Sequence, residues 1–234
     1  MKINKTTLIL SAALLAFLAA GRAVDGGIVT PDNQGERILY DVTPAGTAEY
    51  RDLGVVDLEG MPMNLATLKT KALLVEDTEK IYSDPESLLP RKIERDVSSF
   101  FWKEQITEEY DQKKGTVTIT KRKNGKQVST RILQGGGQMN SAILLPFSLR
   151  EQLNPRIGMQ VSATILPNKF KIKLVSVDKI TVPAGTFQAY HFKSLPDKFE
   201  VWINKDNPRV PLKIQGKGIF SYALSMQEYI PQNG

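Results

Sequence analysis

One histidine and no cysteine set the limits of what this chain can do chemically. Without thiols and with a single imidazole, a His/Cys zinc site cannot be assembled, and a relay of nucleophile, base and acid would rest on His191 alone. His191 stands in the alternating run Phe187-Gln188-Ala189-Tyr190-His191-Phe192-Lys193, on the parity of Ala189 and Lys193 and opposite Tyr190 and Phe192. That position reads as a surface or rim histidine. Carboxylates are plentiful, and glycoside hydrolysis needs only two facing each other across a cleft. Glu108/Glu109/Asp111, Glu94/Asp96 and Asp84/Glu86 offer such pairs, but each sits near Lys or Arg in a strand or turn where solvation accounts for it. Asp41, Asp84 and Asp206 lack the spacing of a calcium loop. Gly135-Gly136-Gly137 lacks the Lys-Ser/Thr of a phosphate loop and no strand–helix unit surrounds it. No catalytic residue, no metal ligand and no cofactor is assigned.

Binding chemistry has a better basis. Phe100, Trp102, Ile106 and Tyr110 share strand parity, with Glu104 and Glu108 between them. Large side chains on one face of a sheet line either a concave binding surface or an ordinary core. Met139, Ala142, Ile143 and Phe147 fall at helical spacing within Met139–Leu153, a segment that Pro146 should kink, and their apolar face would close one side of a curved sheet. The expected ligand-lining residues are therefore Phe100, Trp102, Ile106, Tyr110, Met139, Ile143 and Phe147. A second set, Lys121, Arg122, Lys123 and Lys126 with Lys169, Lys171 and Lys173, would meet anionic headgroups or acidic glycans, or simply solvate a hairpin end and discourage edge pairing.

Strands must position these side chains. Ile38, Tyr40 and Val42 alternate with polar or half-polar neighbours, as do Val117 and Ile119, and Phe170, Ile172 and Leu174. A period of two with one wet face marks antiparallel sheets. Lys123-Asn124-Gly125-Lys126 predicts a two-residue hairpin turn, because Asn-Gly adopts the positive φ values that a type I′ turn demands. Counting back from that turn pairs Lys121 with Val128, Ile119 with Thr130 and Val117 with Ile132, and places Val117, Ile119, Val128 and Ile132 on one face. Pro167-Asn168 and Pro183-Ala184-Gly185-Thr186 predict further hairpins. The phase slip from Leu174 to Val175 and Val177 predicts a β-bulge or a strand covered on both faces. The expected fold is mainly β, a curved antiparallel sheet or half-open β-barrel with one short kinked helix.

The N-terminus reads differently. Lys2 and Lys5, the apolar stretch Leu8–Ala20 and the small residues Ala19, Ala20, Gly21 and Ala23 have the order of a secretory signal, residues 1–23, cut between Ala20 and Ala23. An uncleaved anchor is the alternative, though an apolar core of roughly 13 residues is shorter than the ~20 of a membrane span. Residues 24–35 read as a flexible leader and 36–231 as one antiparallel-β domain, large enough to carry its own core. No later stretch has the length of a transmembrane helix. The net charge is +6, from 31 basic and 25 acidic residues. Losing Lys2, Lys5 and Arg22 with the signal halves that excess, and the remaining Lys and Glu are interspersed, which argues against nucleic acid as a partner.

Several phrases, in order, resemble the bacterial family known as domain of unknown function 3108, exported proteins of the Gram-negative envelope. They are Gly35-Glu36-Arg37-Ile38-Leu39-Tyr40-Asp41-Val42, Ser83-Asp84-Pro85-Glu86-Ser87-Leu88-Leu89-Pro90, Glu109-Tyr110-Asp111 with Gly115-Thr116-Val117, Val182-Pro183-Ala184-Gly185-Thr186-Phe187, and Val201-Trp202-Ile203 leading to Asp206-Asn207-Pro208-Arg209-Val210-Pro211. The segment around Phe100, Phe101 and Trp102 departs from the family pattern, as does the apolar helix. The resemblance implies a curved antiparallel sheet like those of envelope carriers that cup an apolar ligand, and brings no catalytic residues with it. The expected function is that of an exported, periplasmic, non-catalytic protein binding an apolar or amphipathic envelope component, a lipid or glycoconjugate. The alternative is an assembly module that holds another envelope protein by a sheet edge or by Trp202–Pro211. A third reading, a carboxylate-dependent hydrolase, needs two acids within about 10 Å of each other in a cleft.

Overall fold

The computed structural model describes residues 35–72, 74–152, 155–218 and 221–231. The predicted signal, residues 24–34 of the leader, and Leu153 and Asn154 at the predicted helix end lie outside the described residues.

Alternation becomes sheet almost throughout. The strands are β1 (Arg37–Thr43), β2 (Thr47–Leu58), β3 (Met61–Ala72), β4 (Val75–Ser83), β5 (Pro90–Ser99), β6 (Lys103–Asp111) and β7 (Thr116–Lys123), followed by β8 (Lys126–Gln134). After one short helix, α1 (Leu145–Arg150), come β9 (Gln160–Ile165), β10 (Asn168–Val182), β11 (Gly185–Leu195), β12 (Phe199–Asn204), β13 (Pro211–Gly216) and β14 (Tyr222–Ile230). They form one antiparallel sheet in the order β8-β7-β6-β5-β4-β3-β2-β1-β14-β13-β12-β11-β10-β9. The two halves of the chain are thus two meanders joined where β1 meets β14.

Register carries one buried face across the whole sheet. Ile38 lies opposite Tyr50, Tyr50 opposite Leu68, Ala66 opposite Ile81, and Ile81 opposite Ile93. In the other direction Tyr40 faces Met226, Leu224 faces Ile214, Ile214 faces Val201, and Val201 faces Phe192. These inner residues form two apolar clusters that meet around α1, with Leu144 and Phe147 in one and Leu145 and Leu149 in the other. The sheet therefore curls around the helix. Its outer strands β8 and β9 do not pair with each other, so the barrel stays open along that seam.

The chain between β8 and β9 spans the seam and buckles it. Gln112, in the turn after β6, accepts from the Met139 N–H at 2.8 Å and donates to the Met139 carbonyl at 3.0 Å, mimicking a strand partner. One residue on, the Asn140 N–H donates to the Thr164 carbonyl at 2.7 Å, and Asn140 Oδ1 accepts from the Thr164 N–H at 2.9 Å. Thus Met139 is tied to the first meander and Asn140 to the second.

Two sequence expectations change in detail, and a third resolves to one of its two readings. The Asn-Gly turn forms as predicted, with φ of 50° and 79° at Asn124 and Gly125 and Lys123 opposite Lys126. Beyond it, however, Arg122 pairs with Gln127 and Lys121 with Ser129, so Val128 is an extra residue in a β-bulge. The bulge reverses the parity of β8: Leu133, not Ile132, faces Val117, while Val128 and Ile132 turn outward and are 58% and 68% exposed. Adjacent Ile132 and Leu133 made both registers apolar on paper, and the bulge decided between them. The helix is only six residues long and starts after Met139 and Ile143. Pro146 occupies its first turn, where the missing N–H costs nothing, and does not kink it. The phase slip in β10 is a bulge between Leu174 and Ser176, as the alternation indicated.

Candidate functional site

Of the predicted lining residues, Tyr110, Met139, Ile143 and Phe147 share one apolar cluster, and Trp102 packs in a separate one. Ile106 and Tyr110 on β6 are buried on the inner face, opposite Lys121 and Val117 of β7. Met139 is fully buried beneath the seam and Ile143 is half-buried. Phe147 stacks on Tyr50 with ring centroids 4.0 Å apart, and the Arg150 guanidinium lies 5.1 Å over its ring. Arg150 also pairs with Glu36 at 2.7 Å, and Arg209 donates to the Gln152 carbonyl at 2.7 Å just past the helix end, where cations are favoured. The helix is in this way pinned to β1, β2 and the β12–β13 loop. Trp102 is buried against Val97 and Val75. Phe100 departs from the expectation: it sits with Phe101 in the turn between β5 and β6, 84% exposed, and lines nothing on the inner face. Strand parity does not extend into that turn, which is why the count from Tyr110 misplaces it.

Beside the buckle, the inner face is incompletely covered. Ile119 and Leu133 are half-buried and pack, with Leu88, Ile143 and Leu166, on the edge of the main apolar cluster. Charged residues share the same face. Glu108 stands opposite Ile119, which stands opposite Arg131; Lys121 pairs with Glu104 at 2.9 Å. An apolar strip with a charged border thus runs along β6, β7 and β8 where no further strand closes over it.

Deeper in the barrel is a charge cluster that reading the sequence did not find. Arg95 on β5 is buried with its Nε 2.9 Å from both carboxylate oxygens of Asp77, and a terminal nitrogen also contacts Asp77. Glu79 lies 3.6 Å from the same Nε. On the adjoining strand, Tyr110 donates its hydroxyl to Glu108 at 2.5 Å. Burial pushes the Glu79 carboxyl up to about 8, with Arg95 opposing the shift and Asp77 and Glu108 adding to it. Burial likewise raises Asp77 against the pull of Arg95. One guanidinium serves two acids, and charge balances when Glu79 keeps its proton. A signal was present: Ile93-Arg95-Val97 and Asp77-Glu79-Ile81 put charged residues on the apolar parity of their strands.

A raised folded-state pKa has a definite consequence for stability. The folded chain holds a proton on Glu79 that the unfolded chain releases near 4.5, so this contribution is complete below about pH 4.5 and is lost as pH rises through about 8. Glu79→Gln mimics the protonated acid and removes the loss. The variant should gain on the order of 1–2 kcal/mol relative to the parent between about pH 5 and about pH 8. Urea melts of both proteins across this range check it; a constant difference would contradict a protonated Glu79.

The histidine is also placed differently from the sequence expectation. His191 is buried on the face opposite Phe192, its Nδ1 2.9 Å from Asp178 and its Nε2 3.0 Å from Glu200, with its ring stacked 4.3 Å from that of Trp202. Ser176 Oγ lies 3.4 Å from Nδ1 but donates to Asp178 at 2.9 Å. Both ring nitrogens therefore meet carboxylates, and the group ties β10, β11 and β12 together. Desolvation opposes ionisation of Glu200, yet Lys217, His191 and Lys193 outweigh it and hold the carboxyl down at about 2. The acids predicted from spacing are dispersed. Asp84 accepts from the N–H groups of Glu86 and Ser87, Asp111 from those of Lys113 and Lys114, Glu94 pairs with Lys92, and Asp96 accepts from Gln105.

The family model described as "Protein of unknown function (DUF3108)" matches residues 63–220. The chain belongs to this family. The part of this DUF3108 protein that the match covers includes the Arg95 cluster, the buckle, α1 and the His191 group. The crystal structure of a beta-barrel-like protein of domain of unknown function DUF1849 from Brucella abortus is similar over 86% of this chain and 99% of that one, with a TM-score of 0.53 at 9% identity. At that identity the likeness extends to the fold alone. No curated protein matches the chain.

Proposed function

We propose that this DUF3108 protein is exported to the envelope and binds an amphipathic component there, an acyl chain bearing a polar or charged head, along the open seam. The observation that carries this reading is the half-buried apolar strip of Ile119, Leu133 and Ile143 bordered by Glu108, Lys121 and Arg131, in a barrel whose β8 and β9 do not pair with each other. An apolar floor with a few placed polar groups is the usual composition of a small-molecule site. Tyr110, Met139 and Phe147 belong to the apolar cluster on which that strip packs, and the residues in contact with the ligand would be Ile119, Leu133 and Ile143. The signal-like residues 1–23 support export.

Titration with a dansyl-labelled fatty acid tests it. Saturable binding is expected, weakened at least about tenfold in Ile119→Asn and in Leu133→Asn but not in the outward-facing Ile132→Asn, since a tenfold change needs only the ~1.4 kcal/mol that losing one apolar contact supplies. Equal binding by all three variants, or no saturable binding, would overturn the reading.

The assembly-module reading also has an observation in its favour. β8 is an edge strand, paired with β7 on one side only, with Val128 and Ile132 exposed on its outer face, the form of edge to which a partner strand can add. Photocrosslinking from position 132 in intact cells should then capture one dominant protein, and a diffuse ladder would count against it.

A further inference from the structure

Three hairpin turns lie side by side along one rim of the first meander. Val75, at the start of β4, pairs with Ser99 at the end of β5, which sets the β3–β4 turn beside the β5–β6 turn. The Asn124 N–H donates to the Lys103 carbonyl at 3.0 Å, which sets the β7–β8 turn on the other side of the β5–β6 turn. From the first two turns project Leu74, Phe100 and Phe101, 78%, 84% and 83% exposed, the two aromatic rings packed edge to face at 5.2 Å. The strand ends that flank the third carry Arg122, Lys123 and Lys126, all exposed and without an ion pair among the described residues; Glu104, across from Lys123, pairs with Lys121 instead. Exposed apolar residues are ordinary when scattered singly. Three at adjoining turn tips, with unpaired cations flanking the next turn, are not scattered.

We propose that this rim docks on an anionic lipid surface, with Leu74, Phe100 and Phe101 entering the interface and Arg122, Lys123 and Lys126 meeting the headgroups. Charge complementarity favours this occupant. Apolar side chains at the tips of separate turns enter a fluid interface without needing a matching pocket, and the flanking cations gain from a negative surface within a Debye length. The rim lies outside the seam, so the inference stands independently of the ligand reading.

Co-sedimentation of the processed chain with vesicles of phosphatidylethanolamine and phosphatidylglycerol tests it, against vesicles of phosphatidylcholine alone. The anionic vesicles should bind the protein, with affinity falling at least about tenfold at high salt and in Lys123→Glu/Lys126→Glu. Phe100→Ser/Phe101→Ser should lose at least about tenfold as well while melting at the parent temperature, since these rings are exposed. Phe100→Trp should blue-shift and be quenched by brominated lipid on binding. Equal binding to both kinds of vesicle, no binding to either, or full binding by the Phe100→Ser/Phe101→Ser protein would overturn the proposal, and capture of a protein partner by this rim in the absence of vesicle binding would replace it. Ile119→Asn, which targets the seam, should leave vesicle binding unchanged and so separates failure of this inference from failure of the ligand reading.

Discussion

Replacing Arg95 by alanine is expected to destabilise the protein by about 3–5 kcal/mol, because it strips the counter-charge from an acid buried inside the barrel. Asp77 accepts from Arg95 through both carboxylate oxygens, and both residues are more than nine-tenths buried. Without the guanidinium, Asp77 must either remain charged in a poor solvent or take up a proton, and the second becomes harder as pH rises. The loss should therefore be larger at about pH 8 than at about pH 5. Arg95→Met, which fills the space with apolar atoms but leaves the same acids, should be nearly as damaging, whereas Asp77→Asn/Arg95→Met should recover much of the difference. Urea unfolding of the three variants at both pH values measures this. A loss under about 1 kcal/mol for Arg95→Ala would mean that water reaches the cluster freely.

Phe147→Ala should cost a similar amount, about 3–5 kcal/mol, for a different reason. Phe147 is 3% exposed, stacks on Tyr50 and supports Arg150, so its removal opens a void between α1 and the sheet and loosens the Glu36 pair as well. A helix of six residues has little stability of its own and owes its place to these contacts. Phe147→Leu keeps most of the volume and should cost about 1–2 kcal/mol. Equilibrium unfolding monitors both, and amide exchange adds a local readout: protection across Leu145–Leu149 should fall in Phe147→Ala before global unfolding. If protection there is unchanged, the ring does not anchor the helix.

What was legible in the sequence follows from which physical signals are local. Strand alternation at Ile38-Tyr40-Val42 and the positive-φ grammar of Asn124-Gly125 depend on neighbours in the chain, and both survive into the fold. The family phrases led to the same fold class. The register of β8 was not local, since Ile132 and Leu133 offered two apolar phases and a one-residue bulge at Val128 chose between them. Helical spacing at Met139 and Ile143 was real but idle, because both precede the helix, and Met139 and Asn140 form the buckle held by Gln112 and Thr164, partners 27 and 24 residues away. Of the lining residues, Trp102, Ile106, Tyr110, Met139, Ile143 and Phe147 are buried or half-buried, while Phe100 falls in a turn where parity means nothing. Asp77, Glu79 and Arg95 were the larger omission. Charged residues at apolar parity look like errors in a pattern until register places them opposite one another. His191 was misread for a related reason: only the pairing of β10, β11 and β12 shows that Asp178 and Glu200 flank it.

The proposed export and the proposed amphipathic ligand of the seam stand or fall together in one experiment. Native mass spectrometry of protein purified from the periplasm, with organic extraction of whatever it carries, tests both most directly. The account predicts the mass of the chain without its signal plus a stoichiometric lipid-sized adduct, and loss of the adduct in Ile119→Asn/Leu133→Asn. A bare chain mass for the parent protein, with nothing of that class in the extract, would contradict it.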